Sequence, residues 1–369
     1  MKSETAAIHL SNNTTDSNRP VIQPVTLSTT FLHGEDSIVY GRFDNPNRAS
    51  FEKVMAALEH GVDAAAFSSG NAAGSALFQT LPKDSHVVAP LDMYHGLQKQ
   101  LLEVFSQQLS VTFIDMMKPD QVREAITPAT RLIWIETPSN PLIQITNIPE
   151  ISRIARESGI PLVCDNTFAT PILQNPLDLG ADIVMHSATK YIGGHSDVMA
   201  GILVTRHNHE WWEKIKTVQA IGGAVPSPFD CYLLCRSVKT LAYRVKGHCA
   251  NALAVAEFLQ KHPGIEKVMY PGLQDNPYYQ LACEQMRGFG GMVTCLVKGN
   301  AEETDRFVAS LAFFSNATSL GGVESLIERR ARVEGPDSKS PENLVRISVG
   351  LEHIEDLISD LAQGLDRLH

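Results

Sequence analysis

The stretch 181–197, ADIVMHSATKYIGGHSD, sets one lysine, Lys190, just past a short apolar run, with Ser187 and Thr189 before it and two glycines soon after. A primary amine where a buried strand runs out has a chemical use. Partly desolvated, it stays neutral often enough to attack a carbonyl and to take up a proton. Other short apolar runs end in equally reactive groups: Ser69-Gly70-Asn71, Asp92 to Tyr94, Glu136 to Asn140, and Asp165-Asn166-Thr167. In doubly wound sheets, ligands bind beyond the carboxyl ends of the strands, so these clusters are expected to meet along one edge.

Taken singly, each has a structural reading: Tyr94 as a rim aromatic, Asp165 as a cap, Ser187 and Thr189 as turn residues, Lys190 as a solvated lysine. Together they suit a phosphorylated aldehyde cofactor. Lys190 would condense with the carbonyl, Asp165 would keep a pyridine nitrogen protonated, and Tyr94 would stack on the ring. Gly70-Asn71 at a helix start, with the hydroxyls of Ser187 and Thr189, would receive a phosphate. That combination describes pyridoxal phosphate. The chain contains neither G-x-G-x-x-G nor G-x-x-x-x-G-K-[ST], which argues against a dinucleotide or P-loop site.

The elements that must position these groups are legible as runs. From about 46 to 205, helical stretches alternate with short apolar segments, among them SHVVAP, VTFID, RLIWIETP, PLVCDNT and ADIVMHS. Such runs imply a mostly parallel sheet covered on both faces, a doubly wound α/β domain. SFEKVMAALEHG reads as an amphipathic helix with Ser50 as its cap. Residues 1–45 are polar, contain proline and are weakly periodic, like an arm lying on something else. After a long helical region over 208–260, IEKVMYPG, GMVTCLVKG and LVRISVG read as strands of a second sheet in a smaller α+β domain. The expected division is an arm at 1–45, a cofactor-binding domain at 46–245 and a C-terminal domain at 246–369.

Composition agrees with this reading. At 369 residues, 43% hydrophobic and 20% charged, the chain suits two globular domains. Its net charge of −10 argues against nucleic-acid binding. No apolar run approaches a membrane span, and the first twenty residues lack a signal-peptide core. The six cysteines show no paired C-x-x-C spacing, which points to buried thiols in a reducing cytoplasm.

Nearly the whole sequence resembles the trans-sulfuration family of pyridoxal-phosphate enzymes of cysteine and methionine metabolism. The resemblance rests on YGRFDNPN, FSSGNAAG, ETPSNP, VCDNTFATP, DIVMHSATKYIGGHSDV, GAVPSPFDCYL, KVMYPGL, SLGGVESLI and VRISVGLE, in that order. It implies a fold-type-I, aspartate-aminotransferase-like large domain. It also implies that Lys190 is the Schiff-base lysine, that Asp165 pairs with the pyridine nitrogen, and that Tyr94 stacks on the ring and handles substrate protons. Gly70, Asn71, Ser187 and Thr189 match phosphate contacts. Tyr40 and Arg42 match a pair reaching the phosphate of a neighbouring subunit, so a shared-site dimer is expected, with two dimers forming a tetramer. Arg346 matches the clamp on the substrate carboxylate, Asn140 and Ser319 match residues beside it, and Glu328 matches an acid that would bias which end of a zwitterionic substrate enters.

The departures are specific. SGMAA reads SGNAA, Tyr94 is followed by His-Gly, the acid expected before Tyr40 is Val39, and the usual His-Pro-rich stretch is replaced by ERRARVEGPDSKSP. The activity the resemblance implies is cleavage of cystathionine by γ-elimination. Alternatives are γ-replacement on an acyl-homoserine, then β-elimination. An aminotransferase and a non-catalytic homologue are the readings from other classes, the latter opposed by the presence of Lys190, Tyr94 and Arg346.

Overall fold

The computed structural model describes residues 1–12, 20–34, 37–336 and 338–368; parts of the arm and one residue of the 328–341 segment lie outside these. The chain divides into two units, Met1–Glu136 with Thr146–Ala242, and Thr137–Ile145 with Tyr243–His369. One division of the chain falls at 242/243. Nothing in the sequence signals the excursion of 137–145 into the second unit.

The first unit is built on a seven-stranded sheet. Its strands are β1 (Asp63–Phe67), β2 (Ser85–Pro90), β3 (Leu109–Ile114), β4 (Thr130–Glu136), β5 (Leu162–Asp165), β6 (Ile183–Ser187) and β7 (Gly201–Thr205). The order is β1-β7-β6-β5-β4-β2-β3, and β7 runs antiparallel to both of its neighbours. The other pairings are parallel. Every residue of β2, β5 and β7 is buried, which is why these strands read as continuous apolar runs instead of alternating ones. Parallel register lines up the strand ends, with Glu136 opposite Asp165 and Asp165 opposite Met185.

Local chemistry fixes the helices that flank the sheet. The helix Pro46–Leu58 begins four residues before the expected cap, because Asn45 accepts hydrogen bonds from the Asn47 and Arg48 amides and Pro46 needs no donor partner at that position. Ser50 instead lies inside the helix and donates to the Pro46 carbonyl. In the arm, Ser3–Leu10 forms a helix that buries Ala6 and Ala7. Its short apolar face gives too weak a period to be read from sequence.

The second unit carries a five-stranded sheet of β8 (Ile265–Met269), β9 (Met292–Val297), β10 (Ser315–Asn316), β11 (Leu326–Arg329) and β12 (Leu344–Ser348), in the order β10-β11-β12-β9-β8. The strands expected from IEKVMYPG, GMVTCLVKG and LVRISVG are β8, β9 and β12. The short β10 and β11, and the helix Arg330–Glu334, fall outside those runs. Val293, Cys295, Ile327, Val345 and Ile347 face the core with Phe307, Leu357 and Leu361 from two helices. The 137–145 segment belongs here through Thr294, whose hydroxyl donates to the Pro141 carbonyl at 2.7 Å.

Buried beside β12's end, His248 donates through Nδ1 to the Val349 carbonyl. Its pKa falls to about 4: burial is the main cause, Arg244 adds to it, and the Val349 bond with Glu352 and Glu324 oppose it. A folded value below the ordinary 6.5 means the fold resists protonation of this ring. Its contribution is therefore complete above about pH 6.5 and lost as pH falls toward 4, an effect of about 3 kcal/mol. Denaturant unfolding at pH 7 and pH 4.5 should show a larger acid loss for wild type than for His248→Asn, whose amide keeps the donor without the titration. Equal losses would contradict the assignment.

Candidate active site

Asp165 ends β5 and is 5% exposed. Its Oδ1 accepts from both the amide and the hydroxyl of Thr167. The same hydroxyl accepts from the Ser187 amide at 2.9 Å, which ties the ends of β5 and β6 together. Burial raises the Asp165 carboxyl above its usual range, while the Thr167 donors and the charge of His186 pull it back. A buried carboxylate with two neutral donors still lacks a full counter-charge. A cation bound beside it would supply one.

Lys190 lies three residues past β6, half-buried in a turn held by the bonds from the Lys190 amide to Ser187 O and from the Gly193 amide to Ala188 O. Thr189 fastens that turn to the start of β7. Its hydroxyl donates to Ala200 O and accepts from the Ala200 amide, so its hydrogen is engaged within the chain. Ser187 is half-buried, and the close neighbour of its side chain is Gly70. A Cβ at Gly70 would come within 2.8 Å of Ser187 Cβ, so glycine is what lets this helix start approach β6. The helix Gly70–Gln79 is capped by Ser69, which accepts from the Ala72 amide. The amides of Gly70 and Asn71 are first-turn donors with no acceptor inside the helix.

Tyr94 is 40% exposed, and its amide donates to Glu136 Oε2 at 2.7 Å. Its ring lies over Gly96, where a Cβ would reach 2.6 Å from the ring edge. The His-Gly pair thus keeps the glycine where the ring needs it. Arg42 donates to the Ala220 carbonyl, and its guanidinium sits 4.7 Å from the Phe43 ring centroid and 5.6 Å from that of Tyr40. Tyr40 itself is exposed.

In the second unit, Arg346 is 4% exposed and donates through Nη1 to Asn140 Oδ1 at 2.9 Å and through Nη2 to Ser319 O. Three of the residues expected around a substrate carboxylate therefore meet. Ser319 has φ +130°, a sparsely populated conformation for a residue with a side chain, and it aims its carbonyl at the guanidinium. Glu328 sits differently from a pocket acid. It is 2% exposed, and its Oε1 pairs with both Arg346 and Arg330 at 2.6 Å.

One buried pair escapes a reading of the sequence. His186 Nε2 pairs with Glu59 Oε1, and Asn166 and Asn175 also donate to the Glu59 carboxylate. His186 lies inside the SATK stretch, yet nothing in the spacing points to a partner 127 residues away.

The sequence profile of the Cys/Met metabolism PLP-dependent enzymes matches residues 4–366. The chain belongs to that family. It is 42% identical to a cystathionine gamma-lyase of Dictyostelium discoideum over 98% of this chain and 97% of that protein. It is 44% identical to a cystathionine gamma-synthase of Mycobacterium leprae over 98% and 96% respectively. The solved structure of metB from Corynebacterium glutamicum superposes with a TM-score of 0.97 at 40% identity, covering 100% of this chain and 99% of that one. The protein is thus a pyridoxal-phosphate-dependent enzyme acting on carbon–sulfur bonds of small molecules, on an α/β fold with a mostly parallel central sheet. The residues fit the cofactor. The Gly70 cradle, the buried Asp165 and the Tyr94 ring backed by Gly96 offer a phosphate, a pyridinium and a ring plane their partners.

Asp165→Asn should leave part of the cofactor bound but lower kcat about 100-fold or more, because the ring nitrogen loses its counter-charge. Nitrogen-15 NMR of labelled cofactor should show that nitrogen deprotonated. A protonated nitrogen with near-normal turnover would remove Asp165 from this role.

Proposed function

We propose that this enzyme cleaves cystathionine by γ-elimination, releasing cysteine, 2-oxobutyrate and ammonia with uptake of one water. The observation that carries the reading is the Arg346–Asn140–Ser319 cluster, a guanidinium fixed for an amino-acid carboxylate in a chain that uses pyridoxal phosphate. The match to a relative named cystathionine gamma-lyase across nearly the full length supports the choice of substrate.

When bound, pyridoxal phosphate withdraws electrons from the substrate's α-carbon. Lys190 would hold it covalently, and its amine would serve as the base for the substrate's α-proton and for a proton at the β-carbon. Asp165 would keep the proton on the ring nitrogen. Tyr94 would stack on the ring and supply a proton to the departing sulfur. Gly70, Asn71 and Ser187 would anchor the phosphate, and Thr189 keeps the lysine turn in place. Arg346, with Asn140 and Ser319 beside it, fixes the carboxylate and so the orientation of the α-carbon.

A second reading, γ-replacement on an acyl-homoserine, is favoured by one observation. The charge of Glu328, the acid that would greet a substrate ammonium, is already shared by two guanidiniums. A side-by-side product assay separates the readings. Cystathionine should give 2-oxobutyrate faster than acyl-homoserine plus cysteine gives cystathionine. The reverse order would replace the lyase with the synthase, and pyruvate in place of 2-oxobutyrate would indicate β-cleavage.

The same proposal includes a homotetramer built as a dimer of dimers, with Tyr40 and Arg42 reaching the phosphate in a neighbouring subunit. Supporting it, the 20–45 segment exposes Val21, Leu27, Leu32, Val39 and Phe43, an unusual run of bare apolar side chains. A cytoplasmic location agrees with six free cysteines. Arg42→Ala should lower cofactor retention, and mixing it with inactive Lys190→Ala protein, under conditions where subunits exchange, should restore activity. Absence of recovery would make each site self-contained.

A further inference from the structure

The segment ERRARVEGPDSKSP puts a second buried guanidinium, that of Arg330, next to the proposed carboxylate clamp. Glu328 on β11 lies opposite Arg346 on β12. Its Oε1 takes both Arg346 Nη2 and Arg330 Nη1 at 2.6 Å, while Oε2 is buried with no hydrogen-bond partner among the described residues. Arg330, 5% exposed, also donates through Nε and Nη2 to Glu334 Oε1. Glu334 Oε2 in turn accepts from the hydroxyls of Ser338 and Ser340 at 2.6 and 2.8 Å. Burial pushes the Glu334 carboxyl up, but those hydroxyls and Arg330 outweigh it and hold it below the usual range. The result is a line of alternating charges, Glu334–Arg330–Glu328–Arg346, closed at its far end by serines from the same segment.

We infer that Arg330 is a positioning residue that divides the charge of Glu328, so that Glu328 competes less with the substrate's carboxylate for Arg346. Buried ions are strongly coupled, and a carboxylate with one partner binds it more exclusively than a carboxylate shared between two. Without Arg330, the whole negative charge of Glu328 falls on Arg346 and competes with the incoming carboxylate. With Arg330 in place, the two guanidiniums balance the carboxylates of Glu328 and Glu334; without it the three remaining groups carry a net negative charge, and Arg346 is their one cation beside Asn140 and Ser319. The alternation also explains the composition of the segment. Arg330 would be an uncompensated second cation were Glu334 not one helical turn away, and Glu334 would compete for Arg330 more strongly were its other oxygen not occupied by serines.

This inference rests on the proposed role of Arg346, and the test separates the two. Binding of glycine, an amino acid with no leaving group, and of ethylamine, which has the amine but no carboxylate, is read from the absorbance of the holoenzyme. Arg330→Met should weaken glycine binding about tenfold and leave ethylamine unchanged, with KM for the amino-acid substrate rising in step and kcat within about twofold. Arg330→Lys should recover most of the glycine affinity, and Glu328→Gln with Arg330→Met should recover it to within about threefold, because the competing charge is gone. If Arg330→Met folds poorly, Arg330→Gln, which keeps donors for both carboxylates, carries the same expectation. Unchanged glycine binding in these single variants, or equal weakening of glycine and ethylamine, overturns the role of Arg330. If Arg346→Lys loses glycine affinity while the Arg330 variants do not, only this inference fails. If Arg346→Lys binds glycine like wild type, the clamp itself is misassigned and the inference falls with it.

Discussion

A charge taken out of water must find a partner, and that requirement organises the first unit. Asp165 is buried because β5 is a central strand covered on both faces, and its carboxylate ends the strand where parallel neighbours end too. The chain supplies it with two neutral donors from Thr167, and His186 adds a favourable field from beside it. Neither is a full counter-ion. The sheet thus places an under-compensated anion among an amine, a ring and first-turn amides. A ligand that brings a pyridinium nitrogen completes what the fold leaves open.

The buried pair behind this site obeys the same rule. Glu59 is fully buried at the end of the helix Pro46–Leu58, and it is tolerated because His186, Asn166 and Asn175 all reach it. Asn166 also exchanges bonds with Gln174, so the segment after Asp165 is held by side chains from several elements. Such bracing limits the freedom of the Asp165 backbone. In the proposed role, a carboxylate meeting one ring atom would need that restraint, since hydrogen-bond strength falls steeply with misplacement.

Much of this is legible in the sequence because parallel strands write themselves as unbroken apolar runs, and the residues just past each run lie at a sheet edge. Lys190, Asp165, Tyr94 and Gly70 lie just past or at the ends of such runs, and the tasks proposed for them come from the family resemblance. Long-range pairing is illegible. Nothing near Glu59 announces His186, and nothing in the ETPSNP motif shows that Asn140 leaves with the second unit to meet Arg346. The partners of Glu328 are illegible for a related reason. Its residue type and motif position suit a pocket acid, but the partners that fix its charge come from β12 and from a helix too short for periodicity to reveal. The conformation of Ser319 is likewise a property of its surroundings, since serine in sequence carries no sign of positive φ.

The two units solve opposite electrostatic problems by one means. The first buries the Asp165 carboxylate and the second the Arg330 and Arg346 guanidiniums; in the proposed mechanism these receive a cationic ring and a substrate carboxylate. Each must keep the receiving charge from being neutralised by its own support. In the first unit this is achieved with neutral donors on Asp165 Oδ1, which steady the carboxylate without discharging it. In the second, Arg346 is steadied by the neutral oxygens of Asn140 and Ser319 and by one carboxylate. That carboxylate's oxygen is shared with Arg330, which on the inference above limits its competition for Arg346. A substitution that strengthens internal pairing in either place would make the bare protein more comfortable and the bound state less so. Both sites thus hold buried charges in place through several partners each, and in the second unit Arg330 and Glu334 of the 328–341 segment belong to that set.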